Sequence, residues 1–342
     1  MTNINKLEIS KKTIIIAVIG LIVFALMPLI VRNTFSRHVM IMILVWSIIG
    51  MGWNFIGGYA GQVSMGHSLF YGIGGYASAI GFLYFNITPW IGMLIGVLIS
   101  IIVAFLIGAP LLRLKGHYFA VATMAVGEAG RIIFINTKAI GGATGVDFLK
   151  PQVPMWYSMQ FSGKLYYFYI FLAFAAVILG LVIYLDKSKF GYYLRTIKGN
   201  DLAAESAGIN TSKYKLIAYI LSASIVSIGG SLYAQYMLYI DPTMLMTLNT
   251  SLMICLVTVM GGVGKVFGPI VGSIILTLTS EYSRVFFGGS GNGMDQLLYG
   301  LMVIIVVLYI PDGILSIFSK EKLNRFIEKK SKKEVPSNEY DS

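Results

Sequence analysis

Glu128 and Arg131 are the ionic residues set most clearly inside an apolar run, and their spacing of three places both on one helical face, where they can pair. A lone charge in hydrocarbon is expensive, so intramembrane ions face a protein interior or a watery path. Two roles fit them: an ion pair that fixes helix register, or direct contact with a passing substrate. A single pair makes a poor proton relay. His38, His67 and His117 lack metal-ligand spacing, so no metal site is expected. Gly264-Lys265 has the ending of a phosphate-binding loop, but Val259 stands where the loop needs Gly, and Val266 where it needs Ser or Thr. Gly72-Ile73-Gly74-Gly75-Tyr76-Ala77 fits a loose dinucleotide pattern, yet it lies within an apolar run rather than between a soluble strand and helix. No nucleophile, acid and base converge, so neither a catalytic residue nor a cofactor bound by this chain is expected.

The segment 186–213 carries the strongest signal for a partner. After Arg195-Thr196-Ile197-Lys198-Gly199-Asn200 comes Asp201-Leu202-Ala203-Ala204-Glu205-Ser206-Ala207-Gly208. Asn200 or Asp201 can cap a helix start, Ala203, Ala204 and Glu205 propagate it, and Gly208 suits its stop. Two turns of helix are marginal alone in water. Such a helix makes sense if it docks into a groove on a partner, the alternative being an ordinary connector.

Glycines concentrate between Gly50 and Gly81, with Gly57, Gly58, Gly61 and Gly66 interleaved by Gln62, Ser64 and His67. They serve close helix packing or a backbone break that lines a translocation path. A second cluster, Gly261-Gly262-Val263-Gly264-Lys265-Val266-Phe267-Gly268, echoes the first and is consistent with a duplicated half, parallel or inverted.

These residues must be positioned by membrane helices. The chain has 56% hydrophobic and 12% charged residues and a mean hydropathy of +0.77. A soluble domain carries about twice that share of charge. Apolar runs fall near 13–31, 39–57, 66–86, 90–111, 117–136, 165–185, 214–239, 247–262, 266–284 and 295–311. Each is close to the length that spans a bilayer, and continuous runs must be helices there. The sequence thus predicts an all-α polytopic membrane protein of about ten transmembrane helices, with a permease domain over 13–319. A short segment 1–12 precedes it and a basic tail 320–342 follows. The first apolar run ends without a small-residue cleavage site and is read as a retained span. With the N-terminus inside, nineteen Lys and Arg fall on one side of the ten spans and six on the other, which predicts both termini in the cytoplasm. The formal charge of +11 is explained by that placement, so no nucleic-acid partner is expected. Two long loops stand out, the cytoplasmic 186–213 and an external 137–164 that contains Gly141, Gly142, Thr144 and Gly145.

Several ordered motifs over roughly 40–315 resemble the branched-chain amino acid importer permeases of the LivM type, among the ABC transporters. They are Gly58-Tyr59-Ala60-Gly61-Gln62-Val63-Ser64-Met65-Gly66-His67, Leu112-Arg113-Leu114-Lys115-Gly116-His117-Tyr118-Phe119-Ala120, and Gly141-Gly142-Ala143-Thr144-Gly145-Val146. Ala203-Ala204-Glu205-Ser206-Ala207-Gly208-Ile209-Asn210, Gly261-Gly262-Val263-Gly264 and Gly268-Pro269 follow. The resemblance implies a multi-pass protein of the cell membrane, surrounded by lipid, whose partners are a LivH-type permease, two cytoplasmic ATP-binding subunits and an extracytoplasmic amino-acid-binding protein. It also implies that ATP and Mg bind those ATPase partners and that Ala203–Gly208 is the ATPase-coupling helix, with Asp201, Ala203, Ala204, Glu205 and Gly208 as its coupling residues. Leucine, isoleucine and valine are the implied cargo, with urea or other amino acids and amides as alternatives. An ion-coupled secondary transporter is the rival class and would need membrane carboxylates beyond Glu128; Glu281 and Asp295 lie near span ends.

Overall fold

A computed structural model describes residues 11–31, 33–114, 116–150, 153–287, 300, 301, 304, 308 and 313–316. Its helices are α1 (Lys11–Ile30), α2 (Thr34–Trp53), α3 (Ser68–Phe85), α4 (Pro89–Leu111), α5 (His117–Asn136) and α6 (Met155–Ser158). They continue as α7 (Lys164–Asp186), α8 (Lys189–Gly199), α9 (Asp201–Ser206), α10 (Thr211–Met237), α11 (Pro242–Leu245), α12 (Leu248–Gly261) and α13 (Gly268–Phe287). Two short strands, β1 (Val146–Asp147) and β2 (Tyr239–Ile240), pair antiparallel, with Val146 opposite Ile240.

The chain is an all-α polytopic membrane protein. Among the described residues, six segments are long and apolar enough to cross a bilayer: 34–59, 89–111, 117–136, 164–186, 211–237 and 242–261. Ile15–Ile30 forms a shorter apolar helix. The tenth expected span, 295–311, lies mostly outside the described residues, as do residues 1–10 and the basic tail 320–342.

Two helices begin earlier than their apolar runs. The Asn33 side chain accepts the Phe35 N–H at 3.0 Å and starts α2, so Arg37 and His38 are helical rather than loop residues. Asn210 caps Lys213 in the same way, so Lys213 belongs to α10 and not to the loop before it. A polar cap can recruit charged residues into a first turn that hydropathy alone assigns to water.

At the centre stands α2, in which every residue from Val39 to Trp53 except Trp46 is buried. It packs against α7, α10, α12 and α13, while α10 also packs along α3 and α4. Lipid tails are as apolar as leucine, so helix association here relies on close approach and polar staples. The α3–α10 contact has both. A Cβ placed on Gly230 would stand 1.9 Å from the Tyr71 carbonyl oxygen, so only glycine lets the two backbones meet. Ser231 donates to the Gly74 carbonyl at 2.8 Å, and Gln235 donates to Ser78 Oγ at 2.9 Å. Further staples join Ser47 to Ser273 at 2.6 Å, Ser251 to Ser68 at 2.8 Å, and Thr258 to the Gly50 carbonyl at 3.0 Å.

The loop 137–164 is pinned to the same end as the C-terminus of α3. Lys150 Nζ donates to the carbonyls of Phe82 and Leu83 at 3.3 and 3.2 Å and to Asn86 Oδ1 at 3.1 Å. A cation there satisfies helix-end carbonyls that would otherwise lack a partner.

Gly230→Leu is expected to abolish recovery of monodisperse protein by size-exclusion chromatography in detergent. Gly180→Leu, at a helical glycine with no neighbour within 4 Å, should leave recovery within about twofold of the wild type.

Candidate functional site at the basic end of the bundle

The two glycine clusters meet, and Asn54 joins them. This residue follows α2 and begins a six-residue π-helical turn, Asn54–Tyr59, with its side chain fully buried. Its Oδ1 accepts the Gly264 N–H at 2.9 Å and its Nδ2 donates to the Lys265 carbonyl at 3.0 Å. A Cβ on Gly58 would stand 1.8 Å from Asn54 Oδ1 and 2.7 Å from Gly264 N, so the junction requires glycine at that position. Lys198, in the last turn of α8, lies over the same junction, its Nζ 3.5 Å from where a Gly264 Cβ would be. Burial lowers the pKa of the Lys198 amine, and no carboxylate among the described residues pairs with it.

The other residues of the first cluster lie along the segment from α2 to α3. Gly57 lies in the turn after α2, and Gly61 and Gln62 lie in the segment leading to α3. Ser64 Oγ meets His67 Nδ1 at 2.9 Å, and His67 Nε2 meets Ser222 Oγ of α10 at 2.7 Å. His67 is fully buried and stands edge-on to Phe70 and Tyr219. Gly66 brings the turn against α5, where the Met65 N–H donates to Thr123 Oγ1 at 3.0 Å.

Glu128 and Arg131 do pair. The Arg131 Nε donates to both Glu128 oxygens, at 3.1 and 3.0 Å, and Nη2 donates to Oε1. The pair is not in the bundle interior, because the Glu128 side chain is 43% exposed and that of Arg131 25%. It is also separate from the glycine junction. On another face of α5 lies an apolar cavity of about 530 Å³, lined by residues including Ile73, Tyr76, Val103, Gly130 and Phe134.

Gly141, Gly142, Thr144 and Gly145 lie in the other long loop, where Thr144 Oγ1 donates to the Gly141 carbonyl at 2.8 Å. Tyr239 Oη donates to the Thr144 carbonyl at 3.0 Å, which ties this turn to the β1–β2 pair.

The loop 186–213 holds two helices rather than one. Asn200 supplies the cap of α9, its Oδ1 accepting the Ala203 N–H at 3.1 Å, and Gly208 turns the chain out of the helix at φ +81°. Both carboxylates have partners at the start of α10, although Glu205 itself is exposed. Asp201 Oδ2 meets Lys215 Nζ at 2.5 Å, and Glu205 Oε1 accepts the Thr211 hydroxyl at 2.6 Å. Arg195 holds Asp186 at the end of α7 through its carboxylate at 2.6 Å and its carbonyl at 2.8 Å. Ala204 is buried, whereas Leu202, Ala203, Glu205 and Ser206 are exposed, Leu202 being 66% exposed. Sequence reasoning named Asp201 and Glu205 but missed Leu202, Lys215 and Asn54. A large apolar residue in a polar loop was the available signal for Leu202.

Asn54→Ala would leave the Gly264 N–H and the Lys265 carbonyl without their partner, a cost of about 2–4 kcal/mol. The midpoint of thermal unfolding in detergent is expected to fall accordingly, with Asn54→Asp, which keeps only the acceptor, in between. Lys198→Met should instead leave the midpoint unchanged or raised at pH 7. Because burial holds the Lys198 pKa below the ordinary lysine value, the wild type gains stability relative to that variant as pH rises from the folded pKa to that ordinary value.

A family described as "Branched-chain amino acid transport system / permease component" matches residues 36–307. The chain is similar to the LivM high-affinity branched-chain amino acid transport permease of Salmonella typhimurium, 26% identical over 305 residues that cover 82% of this chain and 70% of that one. It is also similar to the LivH counterpart of Escherichia coli K12, 23% identical over 81% of this chain and 93% of that one. A shorter similarity, 26% over 44% of this chain and 50% of the other, relates it to the nucleoside ABC transporter permease NupC of Lactococcus lactis. The matched segment contains the Asn54 junction, α5 and both short helices. The chain belongs to the family of branched-chain amino acid transport system permease components, multi-pass proteins of the inner membrane.

Proposed function

We propose that this chain is the membrane-spanning subunit of an ATP-driven importer that carries leucine, isoleucine and valine inward by alternating access. The observation that carries the ATP-driven part is the α8–α9 pair. It is bolted to α7 and α10 by ion pairs, and it exposes Leu202, Ala203, Glu205 and Ser206 at the basic end. A six-residue helix fixed in this manner suits a groove on a cytoplasmic ATPase. Two such ATPases supply ATP and Mg binding, a LivH-type permease completes the membrane unit, and an extracytoplasmic binding protein delivers the amino acid. The half-exposed Glu128–Arg131 pair is assigned to the surface between the two permeases, since lipid is a poor neighbour for charge.

The described membrane carboxylates are engaged by cations of this chain, which argues against ion coupling. Glu128 is held by Arg131, and Glu281 lies 3.5 Å from Arg284 and 4.0 Å from His38. The branched-chain cargo is supported by the names of the LivM and LivH relatives. The half-length similarity to NupC makes nucleosides the second candidate.

Affinity purification of the full chain is expected to bring down two ATPases and a second permease. In proteoliposomes with the binding protein, leucine should stimulate ATP hydrolysis, and valine and isoleucine should compete where uridine and urea do not. Purification without an ATPase, or uptake sustained by an ion gradient in its absence, would refute this reading. Gly208→Val places a β-branched residue at positive φ, at a strain of about 1–2 kcal/mol or more. Leucine uptake should fall while capture by the external binding protein stays intact; unchanged uptake would remove Gly208 from the coupling role.

A further inference from the structure

We infer that the Asp201–Lys215 ion pair is the latch through which motion of α9 reaches α10, with Asp201 and Lys215 acting as positioning residues for transport. The inference rests on the reading of α9 as the ATPase-facing helix. A helix of six residues that buries little beyond Ala204 has almost no apolar contact to hold it in place. Its position is set by its polar links. Asp201 ties its first turn to Lys215, and Glu205 ties its last turn to Thr211. Both partners belong to the start of α10, so both ends of α9 are fastened to one membrane helix.

Of the two links, the ion pair is the stiffer one. The Lys215 side chain is 7% exposed, and the second Asp201 oxygen, Oδ1, is buried with no hydrogen-bond partner among the described residues. Breaking the pair would leave a buried charge without compensation, so the two groups move together. A surface pair, open to water, would slip.

Helix α10 is a suitable receiver. Its 27 residues run unbroken from Thr211 to Met237, a length of about 40 Å at the usual helical rise. Along that length it holds α3 at His67 through Ser222, at Gly74 through Ser231 and at Ser78 through Gln235. At its far end the chain enters β2, which is paired with β1 of the opposite loop. A push on α9 is therefore delivered to the α3–α10 pair and to both ends of the bundle. The Arg195–Asp186 link does the same for α8 and α7 but does not include α9.

The test uses the complete importer in proteoliposomes, reading leucine uptake per ATP hydrolysed. Asp201→Asn and Lys215→Met are expected to retain the ATPases on affinity purification yet lower uptake per ATP by at least about fivefold. The exchanged pair Asp201→Lys with Lys215→Asp should restore the ratio to within about twofold of the wild type. Lys215→Arg, which keeps the cation on α10, should stay at the wild-type ratio. A wild-type ratio in Asp201→Asn overturns the latch. So does parallel loss of uptake and hydrolysis that the exchanged pair fails to restore, or uncoupling in Lys215→Arg. If a single variant fails to assemble, an exchanged pair that assembles and couples carries the proposal, and one that assembles without coupling overturns it. Absence of any ATPase from the wild-type preparation would instead strike the functional reading beneath it.

Discussion

The contact on which the bundle depends is the approach of α10 to α3. In a bilayer, apolar side chains gain little by leaving lipid for one another, so two helices stay together only where their atoms fit closely or their polar groups meet. Gly230 lies against the Tyr71 carbonyl, and Ser222, Ser231 and Gln235 add staples along α10. Since α10 also packs on α2 and α4, this one seam sets the positions of four of the helices. His67, Ser231 and Gln235 thereby serve as helix-to-helix bonds within these spans.

Charge is used differently at the two ends. At one end Lys150 closes the carbonyl terminus of α3 and holds the loop 137–164 down. At the other, Asp186, Arg195, Asp201 and Lys215 tie two short helices to the long helices on either side of them. Glu128 and Arg131 stand apart from both patterns. They neutralise one another on a half-exposed face of α5, with an apolar cavity on a different face of the same helix. A paired guanidinium and carboxylate can border lipid or protein at lower cost than either charge alone.

Much of the architecture was legible because continuous apolar runs permit only helices, and because Asn200 and Gly208 mark a start and a stop by their local chemistry. Less legible were the partners of polar residues. Asn54 sits in an apolar run, and its bonds go to residues about two hundred positions later, which no periodicity can reveal. Lys215 stands at the start of an apolar run, and its burial in α10 depends on Asp201, fourteen residues earlier, meeting it. Glu205 was assigned to a partner on the strength of its place in a short helix. In the fold its carboxylate is engaged by Thr211.

That engagement leaves the face of α9 mixed in character. Leu202, Ala203, Glu205 and Ser206 are exposed, while Ala204 is buried and Asp201 is partly buried against Lys215. Glu205 therefore gives one oxygen to Thr211 without leaving water. Taking a carboxylate out of water costs free energy that pairing only partly returns. Burying an exposed leucine, by contrast, contributes about 1.5–3 kcal/mol. The apolar gain this face can offer thus comes from Leu202, while the bonds of Asp201 and Glu205 to α10 keep the short helix in line with it.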